Sequence, residues 1–255
     1  MARKQFIPLE SDPILFTELL HKLGVSDDLS FVDVLSLDDP DLLAIIPRPV
    51  LGLIFIFPGT ETTLASVSEV EKQAVPYTGS GEDEDIVWFR QTIGNACGLY
   101  ALLHTVCNGK AREHIRKQPH PADLPRETGT TLDKLLKSAI PLSPEDQAHL
   151  LESSTELEAA HSASAHQGQS SVPTAQVHTP FHYDAFVKSH KSGNLYELAG
   201  YWKGPRDLGR VLTDEEDLLS DNALAFLKQY VERELKAGGD LSWGFNLMAL
   251  VPTQN

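Results

Sequence analysis

The stretch "RQTIGNACGLYALLH" (residues 90–104) carries Cys97, one of two cysteines in the chain. A thiol that acts as a nucleophile needs a lowered pKa, a base, an oxyanion donor and room for a substrate. A helix N-terminus supplies the first, because its unpaired N–H groups and dipole favour a thiolate. The pattern predicts that Cys97 opens such a helix: Gly94 and Asn95 precede it, Gly98 follows, and an apolar run comes next. Gln91, six residues upstream, carries an amide able to reach back beside the Cys97 N–H and complete an oxyanion hole. The same local pattern also suits a small inert thiol packed in a core, and periodicity does not choose between the two.

The base must come from elsewhere in the chain, since Cys–His pairs are neighbours in space rather than in sequence. Ten histidines compete for the role. His104 lies two turns along the same helix, too far to touch Cys97, and reads as a satisfied core histidine. His161 and His166 fall in a segment of small and polar residues, and His21, His114, His120 and His149 have polar surroundings. His182 begins an apolar strand, and a rigid element is where a catalytic base is best held. A zinc site built from Cys97, Cys107, His161 and His166 is set aside, because the chain has no C-x-x-C pair. No metal or cofactor is expected.

The elements that must position these residues follow from patterning. With 255 residues, 41% of them hydrophobic, the chain can bury a core, and two cysteines are too few for a disulfide framework. "DPILFTELLHKLG" (12–24) has helical spacing and ends on Gly24, "FVDVLSL" (31–37) alternates as a strand, and "DDPDLLAIIP" (38–47) opens and closes as a short helix. "VLGLIFIF" (50–57) reads as a central strand buried on both faces, and "TETTLASVSEVEKQAV" (60–75) as an exposed acidic helix. "CGLYALLHTVC" is apolar nearly all round, so its helix is internal. "TLDKLLKSAI" and "SPEDQAHLLESS" predict two short helices, with another at 219–236 and strands at 181–189, 193–200 and 243–252. "STELEAAHSASAHQGQSSVPTAQ" (154–176) has almost no large apolar side chains and is expected to be a long mobile loop. Strands and helices mix without strict alternation and no shift in composition splits the chain, which predicts a single α+β domain over residues 1–255.

Charge narrows the partners. Against 36 acidic residues stand 21 basic ones, a formal net charge of −15. That disfavours nucleic acid, whose binding rests on Lys and Arg at phosphates, and suits either a basic partner or simple solubility. "MARKQFIPLE" lacks the apolar core of a signal peptide, and no run is long enough to span a bilayer. A cytoplasmic monomer without membrane contact is the default.

Several segments together resemble the ubiquitin C-terminal hydrolases, a group of papain-like cysteine proteases (peptidase family C12). "QTIGNACGLYALLH" is similar to that family's active-site signature, "HYDAFV" to the strand that carries its histidine, and "GNLYELAG" to the strand after it. "FIPLESDP", "FVDVLSLDDPDLLAIIPRPVLGLIFIFP", "SPEDQAHLL" and "SAHQGQ" extend the likeness over essentially the whole chain. The resemblance implies a papain-like fold, a central, largely antiparallel sheet flanked by helices, with a knotted backbone. It implies Cys97 as nucleophile, His182 as general base and acid, and Gln91 as oxyanion donor, with hydrolysis after the C-terminal glycine of ubiquitin. It assigns ubiquitin contacts to Ile7, Pro8, Leu9, Glu10 and Asn95, and a crossover loop to about 154–172 that admits only small or unfolded leaving groups. Ubiquitin's basic C-terminal tail then gives the negative charge a partner.

Two positions depart from the family pattern. Thr105 and Cys107 stand where small residues are frequent, and both are compact enough to carry no consequence. Ala199 is the larger departure: "YELAG" replaces the family's Tyr-Glu-Leu-Asp-Gly, whose aspartate orients the histidine. Alanine accepts no hydrogen bond, so the expectation is a slowed Cys97–His182 enzyme, with a weak or inactive ubiquitin-binding protein as the alternative. Glu197 shares a strand face with Ala199, and Asp184 with His182, so either could supply the acid. Both read first as ordinary solvent-facing carboxylates.

Overall fold

The computed structural model describes residues 3–117, 129–168, 181–237 and 244–254. Most helices begin where the sequence supplies a cap. The Asp12 carboxylate accepts from the N–H groups of Ile14 and Leu15, Pro13 takes the first helical position, and α1 (Pro13–Leu23) ends on Gly24 at φ 104°. Asp39 caps α2 (Pro40–Ala44) and Thr60 caps α3 (Glu61–Gln73) in the same way. The helix α4 (Cys97–Val106) is different: Ala96 precedes it and offers no side chain to its first turn. Thr130, Ser143, Ser154 and Ser220 then cap α5 (Thr131–Ala139), α6 (Pro144–Ser153), α7 (Thr155–Ala165) and α8 (Asp221–Lys236).

Six strands form one antiparallel sheet: β1 (Leu29–Asp33), β2 (Gly52–Pro58), β3 (Phe181–Lys188), β4 (Leu195–Leu198), β5 (Arg206–Asp207) and β6 (Asn246–Pro252). Their spatial order is β1-β6-β2-β3-β4-β5. The continuous apolar run of β2 is explained by its central position, with both faces covered. Ile54 and Ile56 point into one apolar cluster with α1 and α4, whereas Leu53, Phe55 and Phe57 point into a second with α8. The fold is therefore α+β, as the patterning predicts.

The helix α4 lies between the sheet and the other helices, and every residue after Cys97 in it is buried. Gly52 allows this close approach: a Cβ there would lie 2.2 Å from Cγ2 of Thr105. Leu103→Ala should cost about 2–5 kcal/mol, as deletions in well-packed cores do. Urea unfolding measures it, and an unchanged midpoint would mean that α4 is not internal.

Two expectations change. The structureless loop that small residues suggested from 154 onward is instead α7 as far as Ala165. Leu157, His161 and Ala165 recur every four residues and make a narrow buried stripe, and α7 packs against α1. Ala and Ser lose little side-chain entropy in a helix, so a thin stripe suffices to order them. The remaining part of the crossover loop, 169–172, lies outside the described residues. The strand expected over 31–37 starts at Leu29 and ends at Asp33. Among the described residues no helix is long and apolar enough to cross a membrane.

Candidate active site

The loop before α4 is built against the N-terminal stretch. Gly94 donates its N–H to the Lys4 carbonyl (2.8 Å) and accepts from the Phe6 N–H (2.9 Å). A Cβ on Gly94 would fall 2.0 Å from the Oε1 end of the Gln5 side chain, which would have to move aside. Asn95 then adopts a left-handed backbone at φ 59°, which turns the chain into α4. Cys97 follows as the first residue of α4, half-buried, with the helix's first-turn N–H groups uncapped by any side chain.

Cys97 lines a cavity of about 330 Å³ together with Pro8, Leu9, Glu10, Ser11, Ile56, Phe181, Tyr183, Gly244, Phe245 and Asn246. Three of the four N-terminal residues expected to contact a substrate thus reach the space in front of the thiol. Ile7 does not: it packs against the core, and its carbonyl is held by Nε2 of His161 at 2.7 Å. Tyr183 fixes the same stretch from the sheet, its hydroxyl donating to the Leu9 carbonyl at 3.1 Å. Gly168, just beyond α7, approaches Glu10 so closely that a Cβ would lie 2.4 Å from its carboxylate. His161 is therefore a buried structural histidine, not a loop residue, and burial depresses it to about 4. The sequence signal was its four-residue spacing from Leu157 and Ala165, masked by the small residues between them.

His182 is the second residue of β3, paired across to Phe57 of β2. Its neighbours Phe181 and Tyr183 line the cavity with Cys97, and α4 packs along β3. The His182 ring contacts Phe57 at 5.7 Å and Tyr201 at 5.0 Å between centroids. His104, by contrast, accepts from the Phe89 N–H at 2.9 Å, and burial holds it down to about 3, so it stays neutral as a core residue.

The expectation of a thiol acidified by its helix is corrected. Burial pushes the Cys97 thiol up to about 12, although the N–H groups of Gly98 and of Cys97 itself pull it down. Protein atoms enclose the sulfur although part of the residue reaches the cavity, so desolvation outweighs the dipole. Such a thiol must hand its proton to a base as it attacks. Gln91 also differs from expectation: its side-chain amide donates to the Ile93 carbonyl at 3.0 Å rather than to the region of Cys97. Its backbone N–H donates to the Gly200 carbonyl at 2.7 Å, and the Trp88 indole donates to the Ala199 carbonyl at 3.1 Å. The approach to α4 is thereby stitched to the end of β4.

Ala199 is fully buried at that seam. Asp184 and Glu197, read from sequence as solvent-facing, are both buried. Strand alternation paired Asp184 with His182 and Glu197 with Ala199, but the face is covered by α8, which period-2 patterning alone did not reveal. Glu197 accepts from Arg206 Nη1 at 2.7 Å and from the Tyr230 hydroxyl. Asp184 accepts from the Tyr201 hydroxyl at 3.2 Å. Burial first, then the neighbouring Glu197 charge, lift Asp184 well above the usual carboxylate range. Burial also raises Glu197, against the pull of Arg206. Burial raises both facing carboxyls, and Arg206, bonded to Glu197, favours the anion there.

A thiol at the head of a buried helix, beside a cavity that the histidine strand also lines, defines a cysteine hydrolase scaffold. Comparison with known proteins gives the family: the model described as ubiquitin carboxyl-terminal hydrolase, family 1, matches residues 6–232, and the chain belongs to that family. A ubiquitin carboxyl-terminal hydrolase of Aplysia californica is 32% identical over 91% of this chain and 98% of its own. One from Drosophila melanogaster is 37% identical over 89% of this chain and 91% of its own. The fold matches a solved Trichinella spiralis UCH37 catalytic domain, bound to ubiquitin vinyl methyl ester, at a TM-score of 0.68 and 23% identity. That match covers 100% of this chain and 98% of the other.

Proposed function

We propose that this protein is a thiol-dependent deubiquitinase that hydrolyses the bond after the C-terminal glycine of ubiquitin. The observation that carries the reading is Cys97 at the start of α4, facing a cavity walled by Pro8, Leu9 and Glu10 and by the residues flanking His182. Cys97 Sγ attacks the glycine carbonyl while its proton passes to His182. The oxyanion is met by the uncapped N–H groups of α4 and by the Gln91 amide once it leaves the Ile93 carbonyl. His182 then protonates the departing amine or thiol, and a water deprotonated by His182 releases the acyl group. The chain's net charge of −15 supports binding of ubiquitin's basic tail, and family membership supports hydrolysis at ubiquitin's carboxyl terminus.

Turnover is slowed because Ala199 supplies no acid behind His182. Loss of that group costs up to about 10⁴ in a serine triad, and a thiol, being the better nucleophile, loses less. Ala199→Asp should raise kcat/KM about tenfold, and no increase would show that the missing acid does not limit the rate. The direct test of the function is release of a fluorophore from a ubiquitin C-terminal ester or amide, with Cys97→Ala as control. Signal equal to the control, with ubiquitin binding retained, would replace the enzyme reading with that of a ubiquitin-binding protein. The thiol held up at about 12 is the observation that favours this second outcome.

A further inference from the structure

His182 is gripped even though the residue after β4 is alanine. Phe57 stands on one side of its ring and Tyr201 on another, at 5.7 Å and 5.0 Å between centroids. Tyr201 lies outside any strand, two residues past Ala199, so something else must hold it. Its hydroxyl donates to Oδ2 of Asp184 at 3.2 Å, and its ring meets Trp202 edge-on. Asp184 in turn faces Glu197, which Arg206 and Tyr230 fix from β5 and α8.

The register explains why the acid stands here. Ala185 pairs with Leu198, so Asp184 and Ala199 are the next residues along the two neighbouring strands. The carboxyl missing from the β4 side is present on the β3 side. It does not act as a free anion, because burial and the neighbouring Glu197 charge raise it well above the usual carboxylate range while Glu197 takes the Arg206 guanidinium. A neutral carboxyl is a poor partner for an imidazolium and a good anchor for a hydroxyl.

We propose that Tyr201 is a positioning residue for His182, its hydroxyl anchored by the Asp184–Glu197 carboxyl pair and its ring fixing the imidazole where an acid at 199 would otherwise orient it. The inference rests on His182 being the base of the reaction proposed above. The groups that face Asp184 are Glu197 from β4, Arg206 from β5, Tyr230 from α8, Tyr201 and the Cys97 thiol of α4. A ring orients by contact and carries no full charge, so this bracket restores geometry and stabilises an imidazolium less than a carboxylate would. That is consistent with an enzyme that is slowed but assembled.

Two readouts test it: kcat and KM on a ubiquitin C-terminal fluorogenic ester, and iodoacetamide alkylation of Cys97 against pH, followed by peptide mass spectrometry without ubiquitin. Tyr201→Leu should lower kcat about 30-fold with KM held within about twofold, and slow alkylation near neutral pH about tenfold. Tyr201→Phe, which keeps the ring, should lose only about threefold. Asp184→Leu should behave as Tyr201→Leu, and Asp184→Asn should recover most of that loss, since an amide can accept from Tyr201 and donate to Glu197. A Tyr201→Leu protein with unchanged kcat and alkylation overturns the proposal. So does an Asp184→Asn protein as slow as Asp184→Leu, which would make Asp184 a charged partner instead. If the parent chain fails to hydrolyse the ester while Tyr201→Leu still slows alkylation, the proposed function falls and the bracket stands.

Discussion

Cys97→Ala should leave a folded protein that binds ubiquitin and hydrolyses its C-terminal ester about 10⁴-fold more slowly or worse. The size of the effect follows from chemistry that has no substitute at the site. Cys107, the other thiol, is fully buried ten residues along, at the far end of α4, and lines no part of the cavity. What remains in the variant is the oxyanion donors and substrate binding, which by themselves give modest acceleration. Removing one sulfur from a half-buried residue at a helix start costs little stability, so the urea midpoint should move by less than about 1 kcal/mol. Retained turnover in Cys97→Ala would remove the nucleophile from the proposal outright.

His182→Asn carries the second largest effect, a loss of about 10³-fold near neutral pH, and changes the shape of the pH profile as well. Under the proposed mechanism the thiol passes its proton to His182 during attack, so activity should not wait for the thiol to ionise unaided. Without the imidazole only pre-formed thiolate reacts, and burial holds the Cys97 thiol up at about 12. Well below that value the thiolate fraction grows about tenfold for each pH unit, and residual kcat/KM should climb with the same slope between pH 7 and 9. A variant that loses rate with a flat profile would show that His182 shapes the site without moving the proton. The same slope should appear in Cys97 alkylation, which needs no substrate.

How much of this was legible in the chain differs from residue to residue. Gly24, Pro13 and Asp12 announced α1 because caps act over a few residues. The apolar run of β2 announced a strand with two covered faces, and "CGLYALLHTV" announced an internal helix beginning at Cys97. His104 read correctly as core, since its distance along one helix excluded it from Cys97. The segment from 154 was misread because the buried stripe of α7 is narrow and made mostly of small or polar residues. Asp184 and Glu197 were misread because alternation names a face without saying what covers it.

The sequence by itself determined the elements, the sheet-forming runs, the helix that presents Cys97 and, through whole-chain resemblance, the family. Those are local or cumulative signals: caps, periods and motifs that persist whatever the rest of the molecule does. Tertiary structure alone decided the ionisation of the site and the company of its histidine. Burial overruled the helix dipole at Cys97, and packing of α8 on the sheet turned two surface-looking acids into a buried, facing pair. The turn after Ala199 brought Tyr201 against His182. Desolvation and ring contact depend on every atom within several ångströms, and those neighbours lie far apart along the chain.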